Sequence, residues 1–180
     1  MWELKDPKPV KLIIGILAPD QNALKMAAGA VESEFGKIDL TSDIWSFNQT
    51  DYYKSQIGET IFRQFVSIEK LIDPGGLAGT KHKTNELEQQ FAVRLSLNVP
   101  RPVNLDPGII EPSKLILATT KNYSHRIYIG DKMYAEVTLI YDKGNWVTLP
   151  YTYPDYKQQC YFDFFSKVRK QLLEQLKSQI

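Results

Sequence analysis

The sequence predicts a mixed α+β fold, and three observations lead to that class. An apolar, β-branched run lies near the start of the chain, three segments carry apolar residues at helical spacing, and several others alternate apolar with polar residues. Hydrophobic residues make up 43% and charged residues 24% of the 180 residues, close to the averages for globular proteins. We therefore expect one folded domain over residues 1–180.

A strand followed by a helix is predicted at the start of the chain. Residues 11–18 are apolar on both faces and are stopped by Pro19, which is typical of a central strand. Asp20 stands at the N-cap position of a predicted helix over residues 22–35, and Gly36 is placed to end that helix.

The middle of the chain is expected to supply two strands, a helix and a third strand. Residues 38–47 alternate apolar and polar residues, which indicates a half-buried strand that extends toward residue 53. Residues 61–68 fit either a helix or a strand, and the Gly58 turn before them favours a strand. A helix is predicted over residues 77–97 and a strand within residues 99–110.

The first 110 residues are thus ordered strand, helix, strand, strand, helix, strand, which predicts a ferredoxin-like βαββαβ sandwich. Antiparallel strands and a C-terminal helix over residues 156–177 extend this sandwich. The predicted additional strands cover residues 114–119, 125–129, 134–141 and 146–149.

Charge and cysteine content exclude several classes of protein. The 22 Lys and Arg residues against 21 Asp and Glu residues leave a net charge of +1, which provides no overall field for a polyanion. Cys160 is the only cysteine, so no internal disulfide can form, and with only two histidines a Cys/His zinc site is disfavoured. Residues 10–18 are too few to span a membrane. We expect a cytoplasmic protein with no membrane partner.

Polar and aromatic residues concentrate between residues 101 and 156. Asn104 and Asp106 stand two residues apart, so on an extended strand both side chains project from the same face. Asp106 and Asp155 are candidate ligand-binding residues and candidate ligands of Mg²⁺, although no cofactor is specified by the sequence. Asp106 also suits a turn, and Asp155 also suits the N-cap of the last helix.

Glu136 interrupts an otherwise apolar strand and therefore needs a partner, because a buried unpaired carboxylate is costly. A tight turn over residues 130–133 places His125 diagonal to Glu136 on one face of the hairpin and directs Arg126 to the other face. His125 and Glu136 are either a structural ion pair or an acid–base pair, and they are the candidate catalytic residues.

Cationic and aromatic side chains in the same stretch are candidates for binding an anion. Lys121, Arg126 and Arg101 carry the positive charge, and Tyr153 offers a ring. We expect six residues to line one cleft, because each lies at or next to a strand end: Arg101, Asn104, Asp106, Lys121, His125 and Tyr153. The alternative is that they are dispersed as turn formers, caps and surface ion pairs.

A set of short motifs spread over nearly the whole chain is specific in combination. The motifs are Pro9–Leu12, Lys81, Thr84–Asn85, Arg101, Asn104–Gly108, Leu117–Lys121, His125–Tyr128, Ala135–Leu139 and Thr152–Tyr156. Together they resemble an uncharacterised bacterial family, domain of unknown function 4416. The resemblance implies a prokaryotic, cytoplasmic domain and brings no activity with it.

Two hypotheses for function remain open. The first is binding of, or action on, a small anionic or nucleotide-like molecule in a polar cleft formed by residues 101–156. The second is a non-catalytic adaptor or RNA-binding module with an aromatic-rich sheet surface. A concave pocket where Lys121, His125 and Glu136 converge favours the first hypothesis, and a flat sheet with several exposed tyrosines favours the second.

Overall fold

A computed structural model describes residues 2–95 and 99–178 of the chain. Within these residues the chain forms four α-helices and a nine-stranded antiparallel sheet. The strands are β1 (Lys11–Ala18), β2 (Ile38–Thr41), β3 (Trp45–Ser46), β4 (Phe62–Ile68), β5 (Asn104–Glu111), β6 (Lys114–Thr119), β7 (Ile127–Gly130), β8 (Met133–Asp142) and β9 (Asn145–Thr148). The helices are α1 (Gln21–Phe35), α2 (Lys54–Ile57), α3 (Leu77–Leu95) and α4 (Gln159–Lys177).

The strand order across the sheet is β2, β4, β1, β5, β6, β8 and β7, with β3 paired to β4 and β9 paired to β8. The strand β1 is buried along its whole length, because β4 and β5 flank it and helices cover both faces. This position explains its unbroken apolar sequence. None of the helices in the described residues is both long and apolar enough to cross a membrane.

Two apolar cores lie on opposite faces of the sheet. Leu12, Ile14 and Ile16 of β1 pack with residues of α1 and α3, whereas Ile13 packs with residues of α4. The second core is rich in aromatic rings, among them Phe165, whose full burial contributes roughly 1.5–3 kcal/mol. Alternate β1 side chains thus hold α1 and α3 on one face and α4 on the other.

The first strand–helix unit forms as the sequence predicts. The Asp20 side chain caps α1 by accepting a hydrogen bond of 2.8 Å from the backbone N–H of Ala23. Gly36 ends the helix with a φ of 102°, a conformation that favours glycine. The choice of a strand rather than a helix for residues 61–68 is also confirmed, because β4 covers Phe62–Ile68.

Two predicted strands are shorter than the sequence pattern indicated. The segment 38–47 divides into β2 and β3, and beyond it a 3-10 turn over Asp51–Tyr53 and helix α2 replace the expected extension. The strand expected within residues 99–110 begins only at Asn104. Pro100 and Pro102 precede it and lack the N–H groups that a sheet ladder requires. Helix α3 accounts for residues 77–95 of the helix predicted over 77–97, and residues 96–98 lie outside the described residues.

The prediction that Asp155 is the N-cap of the C-terminal helix is wrong. Helix α4 begins at Gln159, and the capping residue Gln158 makes no side-chain cap bond. Asp155 instead begins a 3-10 turn over Asp155–Lys157 and directs its carboxylate to Arg63. A buried cation elsewhere in the fold competes more strongly for this carboxylate than the helix N-terminus does.

The β7–β8 hairpin contains the expected tight turn but not the expected register. Gly130 pairs with Met133 across the turn. An irregularity then adds one residue on β7, so Tyr128 rather than Ile129 lies opposite Tyr134. A one-residue shift moves the preceding side chains to the opposite face of the hairpin.

Gly15 in β1 makes room for Arg63, which yields a test of the packing. A methyl group at Gly15 would lie 2.7 Å from Arg63 Nη1 and 2.8 Å from Phe65 Cε1. We expect Gly15→Ala to lower the free energy of unfolding by about 1–3 kcal/mol, because both neighbours are held in a packed core. In helix α1, a methyl group at Gly29 would meet no atom within 4 Å, so Gly29→Ala should raise the free energy of unfolding by about 0.5–1 kcal/mol. Urea unfolding of both variants decides the matter, and equal effects would contradict the packing argument.

Candidate functional site

A cavity of about 460 Å³ lies at the end of the sheet where β4 and β5 begin and β6 ends. Side chains of the sheet, of helix α3 and of the loops around residues 47–53 and 153–156 form its walls. Its lining residues are Phe47, Gln49, Thr50, Tyr52, Tyr53, Arg63, Lys81, Arg101, Asn104, Asp106, Leu117, Ala118, Thr119, Thr120, Lys121, Glu136, Tyr153, Pro154, Asp155 and Tyr156.

The structure brings together most of the residues that the sequence singled out. Five of the six residues expected in one cleft line the cavity, and His125 does not. Glu136 and Asp155 line the cavity as well, and Arg126 lies behind its wall, bonded to Glu136 and Tyr153. The five are Arg101, Asn104, Asp106, Lys121 and Tyr153.

The sequence analysis missed the residue at the centre of the site. Arg63 is only 2% exposed and lies in strand β4, in which four of the seven residues are apolar. Its Nη1 atom is 3.3 Å from Asp106 Oδ2, and its Nη2 atom is 3.1 Å from Asp155 Oδ2. The signal that drew attention to Glu136, a charge within a largely apolar strand, is weaker at Arg63, because Gln64 and Ser67 of the same strand are polar as well.

The two carboxyl groups that share Arg63 differ in pKa. Burial raises the pKa of Asp155, and the nearby charge of Asp106 adds to that effect against the influence of Arg63. Burial also opposes ionisation of Asp106, but the charges of Arg63 and Lys81 outweigh it and hold the Asp106 pKa below its ordinary value. Asp106 is therefore a permanent hydrogen-bond acceptor at neutral pH.

A second group of charges places two cations around one carboxylate. Glu88 accepts a hydrogen bond of 2.7 Å from the backbone N–H of Leu105, and Arg101 Nη1 is 3.4 Å from its other oxygen. Lys81 Nζ lies 3.9 Å from Glu88 and donates to the carbonyl oxygen of Leu105 at 2.9 Å. Because one carboxylate faces two cations, this wall of the cavity has an excess of positive charge.

Lys121 adds a third cation from the loop after β6. Its ammonium group donates a hydrogen bond of 2.8 Å to the hydroxyl oxygen of Tyr52, and this bond lowers the pKa of Tyr52. The loop is held from behind, because Arg126 Nη1 donates to the Lys121 carbonyl oxygen at 3.0 Å. Lys121 is therefore presented at the cavity by a backbone that is itself anchored.

The expected contact between His125 and Glu136 is present, but Arg126 is not where the predicted register put it. His125 Nε2 lies 3.1 Å from Glu136 Oε2, and Arg126 Nε donates to the same oxygen at 2.8 Å. The one-residue irregularity in β7 explains why Arg126 shares the side of Glu136. The His125 ring stacks on Tyr151 at 4.0 Å, away from the cavity, and a catalytic role for the pair stays a prediction.

Unpartnered polar atoms cluster around the cavity. In the described part of the chain, four buried side-chain nitrogen or oxygen atoms lack a hydrogen-bond partner, and all four belong to lining residues. The atoms are Arg63 Nε, Arg101 Nε, Asn104 Nδ2 and Tyr156 Oη. Buried polar groups are nearly always satisfied, so this clustering indicates that the region around the cavity lacks hydrogen-bond acceptors.

The residues present do not form a metal site of the expected kind. Among the described residues, no group of three or more His, Cys, Asp or Glu side chains is placed to hold a metal ion. Asp106 and Asp155 each direct a carboxylate oxygen to the Arg63 guanidinium, which stands where a shared cation would be bound. The candidate Mg²⁺ ligands are thus already neutralised by a protein cation.

The opposite pKa shifts of Asp106 and Asp155 predict opposite pH dependence in two matched variants. Folding lowers the pKa of Asp106. The stability that ionised Asp106 gives to the folded protein is therefore fully present above an aspartate's ordinary pKa of 3.8, and it is lost as the pH falls through the folded-state pKa. Folding raises the Asp155 pKa, so its contribution declines as the pH rises above 3.8. From about pH 3 to pH 7, the cost of Asp106→Asn should grow and that of Asp155→Asn should shrink. Urea unfolding across this range measures both, and parallel pH profiles would contradict the assignment.

Glu136 is expected to matter more for stability than His125 does. Glu136→Gln removes the negative charge beside the largely buried Arg126, and breaking such a pair costs about 3–5 kcal/mol. His125→Gln keeps a hydrogen-bond donor toward the Glu136 carboxylate and leaves the ion pair between Arg126 and Glu136 intact. This variant should therefore lose less stability than Glu136→Gln. Chemical unfolding of the two variants compares them directly. A larger loss for His125→Gln would show that the histidine, not the arginine, neutralises Glu136.

Comparison with known proteins gives one match. A search of curated proteins and a search of solved structures each found no match. A family model described as "Domain of unknown function (DUF4416)" matches residues 8–172, a span that contains all nine described strands and every residue lining the cavity. The family indicated by the sequence motifs is therefore confirmed, and the chain belongs to the DUF4416 family of domains of unknown function.

Proposed function

We propose that this protein binds or acts on a small anionic ligand in the cavity. The observation that carries the proposal is the cluster of buried, unpartnered polar atoms on the lining residues. Three of these atoms are N–H donors and the fourth is a hydroxyl group that can donate. They show that this part of the protein is short of hydrogen-bond acceptors, which a ligand with several acceptor oxygens would supply, and each buried unsatisfied group costs about 1–3 kcal/mol.

Cations with spare donors support the same proposal. The ammonium group of Lys81 uses one of its three N–H donors on Leu105, and that of Lys121 uses one on Tyr52. Arg101 makes one long contact of 3.4 Å to Glu88. These three side chains come from separate parts of the chain and retain donors that an anion can fill without displacing a buried ion pair.

The RNA-binding alternative is favoured by a different feature, an exposed aromatic edge. Tyr123, Ile127 and Tyr128, at and just before the edge strand β7, are 66%, 72% and 59% exposed. Stacked bases need such rings. In the part of the chain that the structure describes, none of these three residues lines the cavity or carries one of the unpartnered donors, so the small-ligand function is the better supported of the two.

We further infer a ferredoxin-like core and a cytoplasmic location. The order β2, β4, β1, β5, together with the packing of α1 and α3 on one face, supports the ferredoxin-like arrangement of the first half of the chain. The single cysteine is consistent with a reducing compartment. Fractionation of cells that express the tagged protein checks the location.

Isothermal titration calorimetry at constant ionic strength tests the binding function. The probes are inorganic phosphate, pyrophosphate, sulfate and citrate. We expect at least one to bind, and we expect Lys121→Gln and Arg101→Gln each to weaken it about tenfold or more, since each removes a charged hydrogen bond. The control is Lys170→Gln, which removes an exposed lysine of α4 that does not line the cavity and should leave affinity unchanged.

Two outcomes contradict the proposal. If no anion binds, neither these four nor an organic phosphate, the cavity is not an anion site. If a single-stranded RNA binds and Tyr128→Ala abolishes that binding while Lys121→Gln does not, the exposed edge is the working surface and the RNA-binding alternative is correct.

A further inference from the structure

The further inference rests on the proposed anion-binding function and concerns the class of ligand. Lys81 lies on α3, Arg101 precedes β5 and Lys121 follows β6, so three cations approach the cavity from three elements. A phosphomonoester presents three anionic oxygens in different directions, whereas a carboxylate presents two in one plane. The arrangement of the cations therefore favours a phosphate group.

Asp106 determines what the rest of the ligand must offer. Its carboxylate is ionised and accepts hydrogen bonds only, so a ligand group beside it must be a donor. Asn104 lies on the same strand face, is 2% exposed and presents its amide group beside Asp106. One acceptor and one amide side by side suit hydroxyl groups, which donate and accept at once.

A cationic amine is disfavoured at the same position. Among the described residues, the cavity lining carries four cations and three carboxylates. Two of those carboxylates, Asp106 and Asp155, already contact Arg63, and the third, Glu136, contacts Arg126. A positively charged ligand group would meet like charge without a free counterion. Neutral hydroxyl donors avoid this repulsion.

The aromatic rings of the cavity are not arranged to hold a nucleobase. Each of the five rings that line the described cavity has a cationic side chain over one face, at 4.4–6.0 Å from the ring centroid. The pairs are Phe47 with Arg63, Tyr52 with Lys121, Tyr53 with Arg101, Tyr153 with Arg126, and Tyr156 with Arg63. Such contacts stabilise and position the cations.

The mutual orientation of the rings leads to the same conclusion. Tyr52 and Tyr53 meet at 89°, and Phe47 and Tyr53 meet at 74°. A base sandwiched between rings needs two parallel faces, and these edge-to-face pairs do not provide them. The ligand body is therefore recognised through hydrogen bonds rather than through stacking.

We propose that the ligand is a phosphomonoester of a small polyhydroxylated compound, in other words a sugar phosphate. Lys81, Arg101 and Lys121 bind the phosphate, and Asp106 with Asn104 binds hydroxyl groups of the sugar. The cavity volume of about 460 Å³ is within the range of small-molecule sites and accommodates a molecule of this size. In this assignment Tyr153 does not stack on the ligand. Its role is to hold Arg126 in place.

Calorimetry with a matched set of probes tests the assignment. The probes are inorganic phosphate, ribose, ribose 5-phosphate, glucose 6-phosphate, adenosine and AMP. We expect at least one sugar phosphate to bind tenfold or more tightly than inorganic phosphate, ribose and adenosine not to bind measurably, and AMP to bind no more tightly than ribose 5-phosphate. Affinity for the phosphate compounds should rise between pH 5 and pH 7, because the second phosphate ionisation lies near pH 6.

Variants of Asp106 and Asn104 separate recognition of the sugar from recognition of the phosphate. In Asp106→Asn and Asn104→Ala, the ratio of sugar phosphate affinity to inorganic phosphate affinity should fall tenfold or more toward one. Two variants are used because Asp106→Asn also loses a contact to Arg63, and unfolding curves establish that each is folded. Lys170→Gln should preserve the ratio.

The results distinguish failure of this inference from failure of the anion-binding function. If inorganic phosphate binds but neither sugar phosphate binds more tightly, or if the affinity ratio survives in both variants, the sugar phosphate assignment is wrong and anion binding stands. If AMP binds more tightly than ribose 5-phosphate and adenosine binds alone, the site recognises a base. If no phosphate compound, sulfate or citrate binds, the proposed function itself fails.

Discussion

A guanidinium group removed from water needs negative charge close to it, and Arg63 obtains this charge from two carboxylates that are distant in sequence. Asp106 lies on β5, and Asp155 lies in the turn that leads into α4. Gly15 leaves room for the guanidinium group, because a side chain at this position would collide with it. The relative positions of the central strand, the cavity wall and the start of α4 all depend on this ion triad.

Local sequence pattern was sufficient where burial alone decides structure, as in the unbroken apolar run of β1 and the Asp20 cap of α1. It was not sufficient where groups far apart compete for one partner. The capping propensity of Asp155 is a local property, whereas its bond to Arg63 joins residues 92 positions apart. The register of the β7–β8 hairpin was missed for another reason, since a single added residue leaves no clear mark on apolar alternation.

Local sequence reveals some residues of the candidate site and not others. Its residues between positions 101 and 155 were found because polar side chains at strand ends stand out in the sequence, and five of the six expected in one cleft line the cavity. Arg63 and Lys81 lie outside that stretch, and only the folded chain brings them to it. Glu136 and Arg63 nevertheless follow one rule: a charge buried within a strand has a partner of opposite charge.

The turn over Asp155–Lys157 contributes residues both to the cavity and to the aromatic core beneath α4. Asp155 and Tyr156 line the cavity, and Tyr156 also packs in the aromatic core against Phe165 of α4 at 6.0 Å between ring centroids. We therefore expect the docking of α4 and the occupancy of the cavity to be thermodynamically linked, because a ligand that bonds to Asp106 also acts on Arg63 and, through it, on Asp155 of this turn. Slower amide hydrogen exchange along α4, more than one helical turn from any ligand contact, would be the observable sign of occupancy.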